Sequence, residues 1–417
     1  MDQTGPPQPG AGTPWSVLGW AAFLACSWTW CIGMFLPVLL LRDFGNWGFA
    51  VFAACNVAGA AAMGWVVRDA EASRRLVVKH SGAMTAFSAV TVLYHAFFAG
   101  WMLGEWIAPL LAWIGAVVLA ALLPAVIGSL RLSALRVLAV VILLVTGGLA
   151  MWAGATYERF NPGERVWQMI RDARLPGPDA VFLAASCVLG FGLCPYLDLT
   201  FHRARRATTR GAGRAAFTLG FGVLFLGLIL LTAGYSGYFL HGHRELRWLV
   251  LAHVIIQSAY TVGLHLREIV GTTEVDHSAW GCLLLPVALL VLIFTGPLMT
   301  LTGRESVTAV ASVAGGMSAG ELVYRGFLAF YGLLFPAYVW LIMIPTRDGH
   351  SGCGGAAGRA KLRLLALTVA VAAPMFALGF LWRHTAWLGP GVASVLLARL
   401  MLPGGTGGAR AGAGAAD

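Results

Sequence analysis

A helix that crosses the hydrocarbon core of a bilayer needs roughly 20 consecutive apolar residues, and this chain of 417 residues supplies such runs repeatedly. They predict crossings over 15–41, 48–67, 82–103, 106–127, 136–155, 180–202, 214–240, 248–268, 279–301, 317–345 and 361–382, and a weaker one over 387–402. Hydrophobic residues make up 59% of the chain and charged residues only 11%, a balance outside that of soluble domains. The expected fold class is an all-α polytopic membrane protein of about 12 transmembrane helices, with the lipid bilayer as its first partner.

The first run follows a Pro/Gly-rich stretch with Asp2 and no Lys or Arg. It is longer than a cleavable apolar region, so it is expected to be retained. Residues 1–14 and 403–417 read as disordered tails, and Asp348 to Gly358 as a flexible loop. With both termini placed in the cytoplasm, 18 of the 28 Lys and Arg fall on the inner side, as the positive-inside rule requires of a cell-membrane protein. The net charge of +10 is then a topology signal that needs no nucleic acid. Six of seven cysteines (Cys26, Cys31, Cys55, Cys187, Cys194 and Cys282) lie within runs and Cys353 in a loop, which is no disulfide framework.

Two runs are interrupted. The first contains Gly33-Met34-Phe35-Leu36-Pro37 and the sixth Gly190-Phe191-Gly192-Leu193-Cys194-Pro195. Proline removes a backbone donor and glycine tolerates unwound dihedrals, so a mid-membrane break is expected at Gly33–Pro37 and another at Gly190–Pro195. Freed carbonyls and half-helix ends bind ions and polar solutes, whereas a simple proline kink would bind nothing. A solute seated between the breaks would meet Ser27, Trp30, Gly33, Gly190, Gly192, Tyr196 and Asp198, with Tyr94 from the third run.

Breaks five spans apart are what two inverted five-helix repeats would produce, over 15–155 and 180–345, with two accessory helices in 361–402. The stretch Gly19–Trp65, with its interrupted helix, short Arg42-Asp43-Phe44-Gly45 connection and small-residue second helix, resembles the opening of the amino acid/polyamine/organocation superfamily, which includes the neurotransmitter:sodium symporters. The Gly-Asn-Phe-Arg-Phe-Pro signature of the sodium symporters is absent. The resemblance implies a secondary active transporter that moves a small polar solute, such as an amino acid, coupled to Na+ or H+, with no other cofactor. It also implies an ion site between spans one and eight, for which Ser27, Cys31, Ser258 and Thr261 are the candidates.

Ionisable residues embedded in a bilayer cost roughly 2.5–3.5 kcal/mol each and mark function. Asp198 follows the second break; it would ligand a cation, carry a proton or pair with an amine, or else sit solvated near Arg203. Glu321 and Arg325 share one helix face and are read as a gating pair. His95, His253 and His265 are intramembrane histidines. No metal site is expected, and divalent-metal transport is a third reading. In a different class, Glu321-x-x-x-Arg325 with Phe380-x-x-x-His384 resembles the motifs of CAAX-protease-like intramembrane proteases, although Gly320 replaces a second Glu. That resemblance implies a Glu321/His384 pair that activates water.

Overall fold

The computed structural model describes residues 12–107, 110–160, 178–240, 247–271, 284, 286–295, 297, 317–345 and 355–402. Most of both predicted tails, Cys282, Cys353 and most of the 279–301 run lie outside the described residues. Helix α1 (Pro14–Trp28) starts where Thr13 Oγ1 accepts the Ser16 amide at 3.3 Å, with Pro14 in the first turn. Helix α2 (Cys31–Val66) holds two limbs that meet at Gly45, whose φ of 60° is open to glycine at little cost. Helix α3 (Ala70–Trp106) is capped by the Asp69 carboxylate, which accepts the Ala72 amide at 2.8 Å. That bond holds the Asp69 carboxyl below its ordinary value. The helix kinks at His80, before the apolar run begins.

Helices α4 (Leu110–Ser129), α5 (Leu132–Phe160) and α6 (Pro178–Leu193) follow. A 3-10 turn, Cys194–Leu197, and the short α7 (Leu199–Arg206) come next. Helices α8 (Arg210–Leu219) and α9 (Leu226–Leu240) join through a π-helical turn at Gly220–Phe225. Then come α10 (Arg247–Gly271), a short α11 (Pro286–Thr295), α12 (Ala319–Tyr338), α13 (Gly355–Phe380) and α14 (Leu388–Ala398).

Among the described residues, eight helices are long and apolar enough to cross a membrane, and no strand occurs. The chain is an all-helical, multi-pass membrane protein. Three further apolar helices, Trp113–Ser129, Pro286–Thr295 and Thr385–Met401, are shorter than a full crossing. The expected 15–41 run is split into α1 and the first limb of α2. The loop expected at Asp348–Gly358 gives way from Gly355 onward to α13, because Ala and Gly there precede a continuous apolar run.

The helices approach one another through small residues, since lipid offers no hydrophobic drive for helix pairing and contact must come from close packing. Helix α10 packs on α3, α4 and α5, and α1 lies between α5 and the π-helical turn. A Cβ on Gly128 would come within 2.9 Å of the Gly263 carbonyl oxygen. Helix α2 meets α6 even more closely, because a Cβ on Gly59 would lie 2.0 Å from the Phe191 carbonyl oxygen. Gly59→Val is therefore expected to destabilise the protein by about 1–3 kcal/mol through overpacking, seen as a lower melting temperature and loss of the monodisperse peak in size-exclusion chromatography. Gly190→Ala, with nothing within 4 Å of the added methyl, should leave both unchanged.

Candidate functional site

The first interruption falls at Thr29 and Trp30, between α1 and α2, upstream of the expected Gly33–Pro37. Gly33 to Pro37 instead continue helically into α2. The reason lies in the carbonyls that end α1, which need donors in a medium without water. Thr29 covers the Ala25 carbonyl with both its hydroxyl, at 2.7 Å, and its amide, at 3.0 Å. The Trp30 indole N–H reaches Ser27 O at 2.7 Å, and the Trp30 amide reaches Trp28 O at 2.8 Å. Thr261 on α10 donates to Cys26 O at 3.1 Å. On the other side, the first amide of α2, from Cys31, donates to His95 Nε2 at 3.3 Å, while His95 Nδ1 donates to Thr91 O at 2.7 Å. Tyr324 donates to Cys31 O at 3.1 Å.

The second interruption falls in the predicted helix, at its Pro195 end. After the 3-10 turn, Asp198 caps α7: its Oδ1 accepts the Thr200 amide and the Thr200 hydroxyl, both at 2.7 Å. Asp198 is fully buried. It is not the solvated neighbour of Arg203 that its position also allowed, because Arg203 turns to Glu268 at 2.9 Å instead. The second carboxylate oxygen, Oδ2, has no hydrogen-bond partner among the described residues and lies 3.9 Å from Nε2 of His265, another fully buried group. His265 Nδ1 shares a hydrogen bond with Ser88 Oγ at 3.1 Å.

Trp30 links the two breaks. Its ring centre lies 5.6 Å from His265, 5.6 Å from Tyr331, 5.3 Å from Phe87 and 6.1 Å from His95. Trp28 stands 4.7 Å away and is itself fixed by an indole N–H bond to Asn56 Oδ1 at 2.6 Å. The interior is an aromatic box with two imidazoles and one carboxylate, and a tryptophan of the chain itself stands in its centre.

Charged layers close both ends of this interior. At one end, the Arg42 guanidinium grips Glu321 through two bonds of 2.9 and 2.5 Å, and Arg325 Nε meets the same carboxylate at 2.8 Å. Arg325 also binds Asp43, with Arg383 3.8 Å from that carboxylate. A cavity of about 240 Å³ adjoins this layer, lined by Arg42, Glu105, Arg247, Glu321 and aromatic rings that include Trp101 and Phe239. At the far end, where the second limb of α2 finishes, the buried Arg205 donates to the carbonyls of Val67, at 2.8 Å, and of Arg68.

Of the residues named from the sequence, Trp30, Cys31, Asp198, Thr261 and, through the Tyr324 carbonyl at 3.3 Å, Tyr94 converge on the breaks. Ser27 donates its hydroxyl back to Leu24 O at 3.0 Å, while its carbonyl accepts the Trp30 indole N–H. Ser258 is buried, and its hydroxyl has no partner among the described residues. Gly33 faces the Phe225 ring, and a Cβ added at Gly190 or Gly192 would meet nothing within 4 Å. Tyr196 contributes its carbonyl to His202 Nε2 at 3.0 Å. Glu321 and Arg325 pair, yet Phe380 ends α13 and His384 lies beyond it, exposed.

Sequence reasoning overlooked Arg42, Asp43 and Asn56 as partners. An Arg-Asp pair beside a glycine corner, and a lone amide in a small-residue helix, were the available signals.

Inside this multi-pass helical protein, two helical interruptions meet around a buried acid. No protein-family model, curated protein or solved structure matches the chain.

Removing one partner from a buried charge cluster costs about 3–5 kcal/mol. Asp43→Asn is expected to lower thermal stability on that scale, whereas Arg383→Gln at the partly exposed rim should fall within about 0.5 kcal/mol of the parent. Thermal melting of the two purified variants checks both.

Proposed function

We propose that this protein is a secondary active transporter that moves a small polar organic solute, such as an amino acid, by alternating access coupled to Na+ or H+. One observation carries the reading: both helical breaks lie inside the bundle with their polar ends turned toward the same interior. Non-helical backbone at membrane depth persists only where protein or a polar cavity satisfies it, and such breaks serve as solute and ion sites in carriers.

The finer architecture belongs to this proposal: about 12 crossings arranged as inverted five-helix repeats over 15–155 and 180–345, with both termini in the cytoplasm of a cell membrane. An ion site between the first and eighth crossings draws support from Thr261 on the Cys26 carbonyl and from the uncommitted Ser258 hydroxyl. The layer of Arg42, Asp43, Glu321 and Arg325 would serve as a gate on one side. Arg205 and the Arg203–Glu268 pair would close the other. Both layers are closed with Trp30 between them, which supports reading this conformation as an occluded one.

The protease reading through Glu321 and His384 gains no comparable support. Both oxygens of Glu321 are held by guanidinium groups, and His384 lies outside its helix.

A thermal-shift screen of the purified protein against amino acids, nucleobases, sugars and metals, with and without sodium, is expected to yield a stabilising solute. Uptake of that solute into proteoliposomes should then be abolished by Asp198→Asn and only altered in rate by Glu321→Gln. Peptide cleavage that requires Glu321 and His384 but not Asp198 would replace transport by proteolysis. If no compound stabilises the protein in either salt, the transport reading fails.

A further inference from the structure

The interior contains one arrangement that ordinary packing does not explain. Asp198 Oδ2 and His265 Nε2 face each other at 3.9 Å, both fully buried and both without a hydrogen-bond partner among the described residues. Buried polar atoms are almost always satisfied, and an unsatisfied one costs about 1–3 kcal/mol, more if charged. Two such atoms aimed at each other from separate elements, the turn before α7 and the helix α10, form a site for something small.

The chemistry of the pair selects what that is. An imidazole nitrogen is a poor ligand for a hard alkali cation, which prefers oxygen. A transition metal needs more donors than two, and among the described residues no group of three His, Cys, Asp or Glu stands together. An organic amine does not fit between two fully buried atoms only 3.9 Å apart. A proton fits, because aspartate and histidine are the side chains that exchange one most readily inside membrane carriers.

We propose that Asp198 and His265 form a proton-binding pair and that the ion coupled to transport is the proton. The proton enters from solution and is held on Asp198 Oδ2, from which it is donated to His265 Nε2. Alternatively it sits on Nε2, with the carboxylate as counter-ion. In either arrangement one proton leaves the buried pair neutral. At 3.9 Å the two groups are about 1 Å too far apart for a hydrogen bond, so proton affinity rises when α7 moves toward α10 and falls when it withdraws. Movement of the interrupted sixth crossing and movement of the proton are thereby linked.

The groups around the pair do not take over this role. Glu268, one turn further along α10, is bound to Arg203 at 2.9 Å and lies 3.9 Å from Arg206. From α3, His95 is hydrogen-bonded through both ring nitrogens. His202 on α7 is engaged by Ser73 and by the Tyr196 carbonyl. Tyr331 of α12 and Cys194 of the 3-10 turn lie beside each other, and Cys31 at the first break completes the surroundings. The proton site stands on this geometry alone; its coupling to a solute rests on the transport reading.

The test is infrared difference spectroscopy of the full-length protein in lipid, between acidic and alkaline buffer, with potassium or sodium as the alkali cation. The expected result is a protonated-carboxyl band that is indifferent to sodium, moves on aspartate carboxyl-carbon labelling of the parent protein, and disappears in Asp198→Asn. His265→Gln should displace its titration midpoint. Asp198→Asn keeps an oxygen for the Thr200 amide and preserves the cap. If that variant does not fold, aspartate labelling of the parent excludes glutamate and the displaced midpoint in His265→Gln assigns the band to the pair.

The proposal is overturned if the band persists in Asp198→Asn, if Glu268→Gln removes it instead, or if sodium abolishes it at acidic pH. A solute carrier with no such band would sink the proton pair and leave transport standing. A titrating pair in a protein that stabilises with no solute would do the reverse.

Discussion

Lipid cannot hydrogen-bond to a peptide group, and most of what is distinctive in this molecule follows from that constraint. An uninterrupted helix meets it internally. Two interrupted stretches here do not, so the carbonyls and amides at their breaks find partners in side chains as well as in nearby backbone. Thr29, Trp30, His95, Thr261 and Tyr324 meet this need at the first break, and Asp198 with Thr200 at the second. The residues that satisfy the backbone are the same ones that give the interior its polarity. Structure and candidate chemistry are therefore two aspects of one set of hydrogen bonds.

The two breaks are built differently. The first ends a helix by covering its carbonyls with a threonine and an indole, and begins the next with a bond to an imidazole. The second uses proline to stop one helix and an aspartate to start another. The aspartate cap spends one oxygen on the backbone and leaves the other free. Capping is usually an exposed, inexpensive device. Buried inside the protein, it leaves a half-used carboxylate beside an imidazole, an arrangement that a solvated cap would not produce.

How much of this could be read in the sequence followed the distance over which each signal acts. The second break was legible because Pro195 and Asp198 are local determinants, and the Glu321–Arg325 pair because four residues bring side chains together on a helix. The first break was misplaced at Gly33–Pro37. The bonds that fix it at Thr29 come partly from His95, Thr261 and Tyr324, on other helices. Arg42 joins Glu321 across 279 residues, which no spacing rule reaches. The membrane class itself was plain, because length and apolarity of a run need no tertiary information. The shorter helices, such as Pro286–Thr295 and Thr385–Met401, show the limit of that rule: apolar composition marks a run as membrane-compatible without saying where its helix starts or stops.

Gly45 turns the chain within a single residue, and this makes α2 a bent lever. One limb carries the first break and ends in Arg42 and Asp43; the other places Gly59 directly on the Phe191 carbonyl at the edge of the second break. With no slack loop at the corner, the Arg42–Glu321 ion pair and the approach of α2 to α6 are held by the two limbs of one bent helix. The two interruptions, far apart in the chain, are joined by one helix that turns at one glycine.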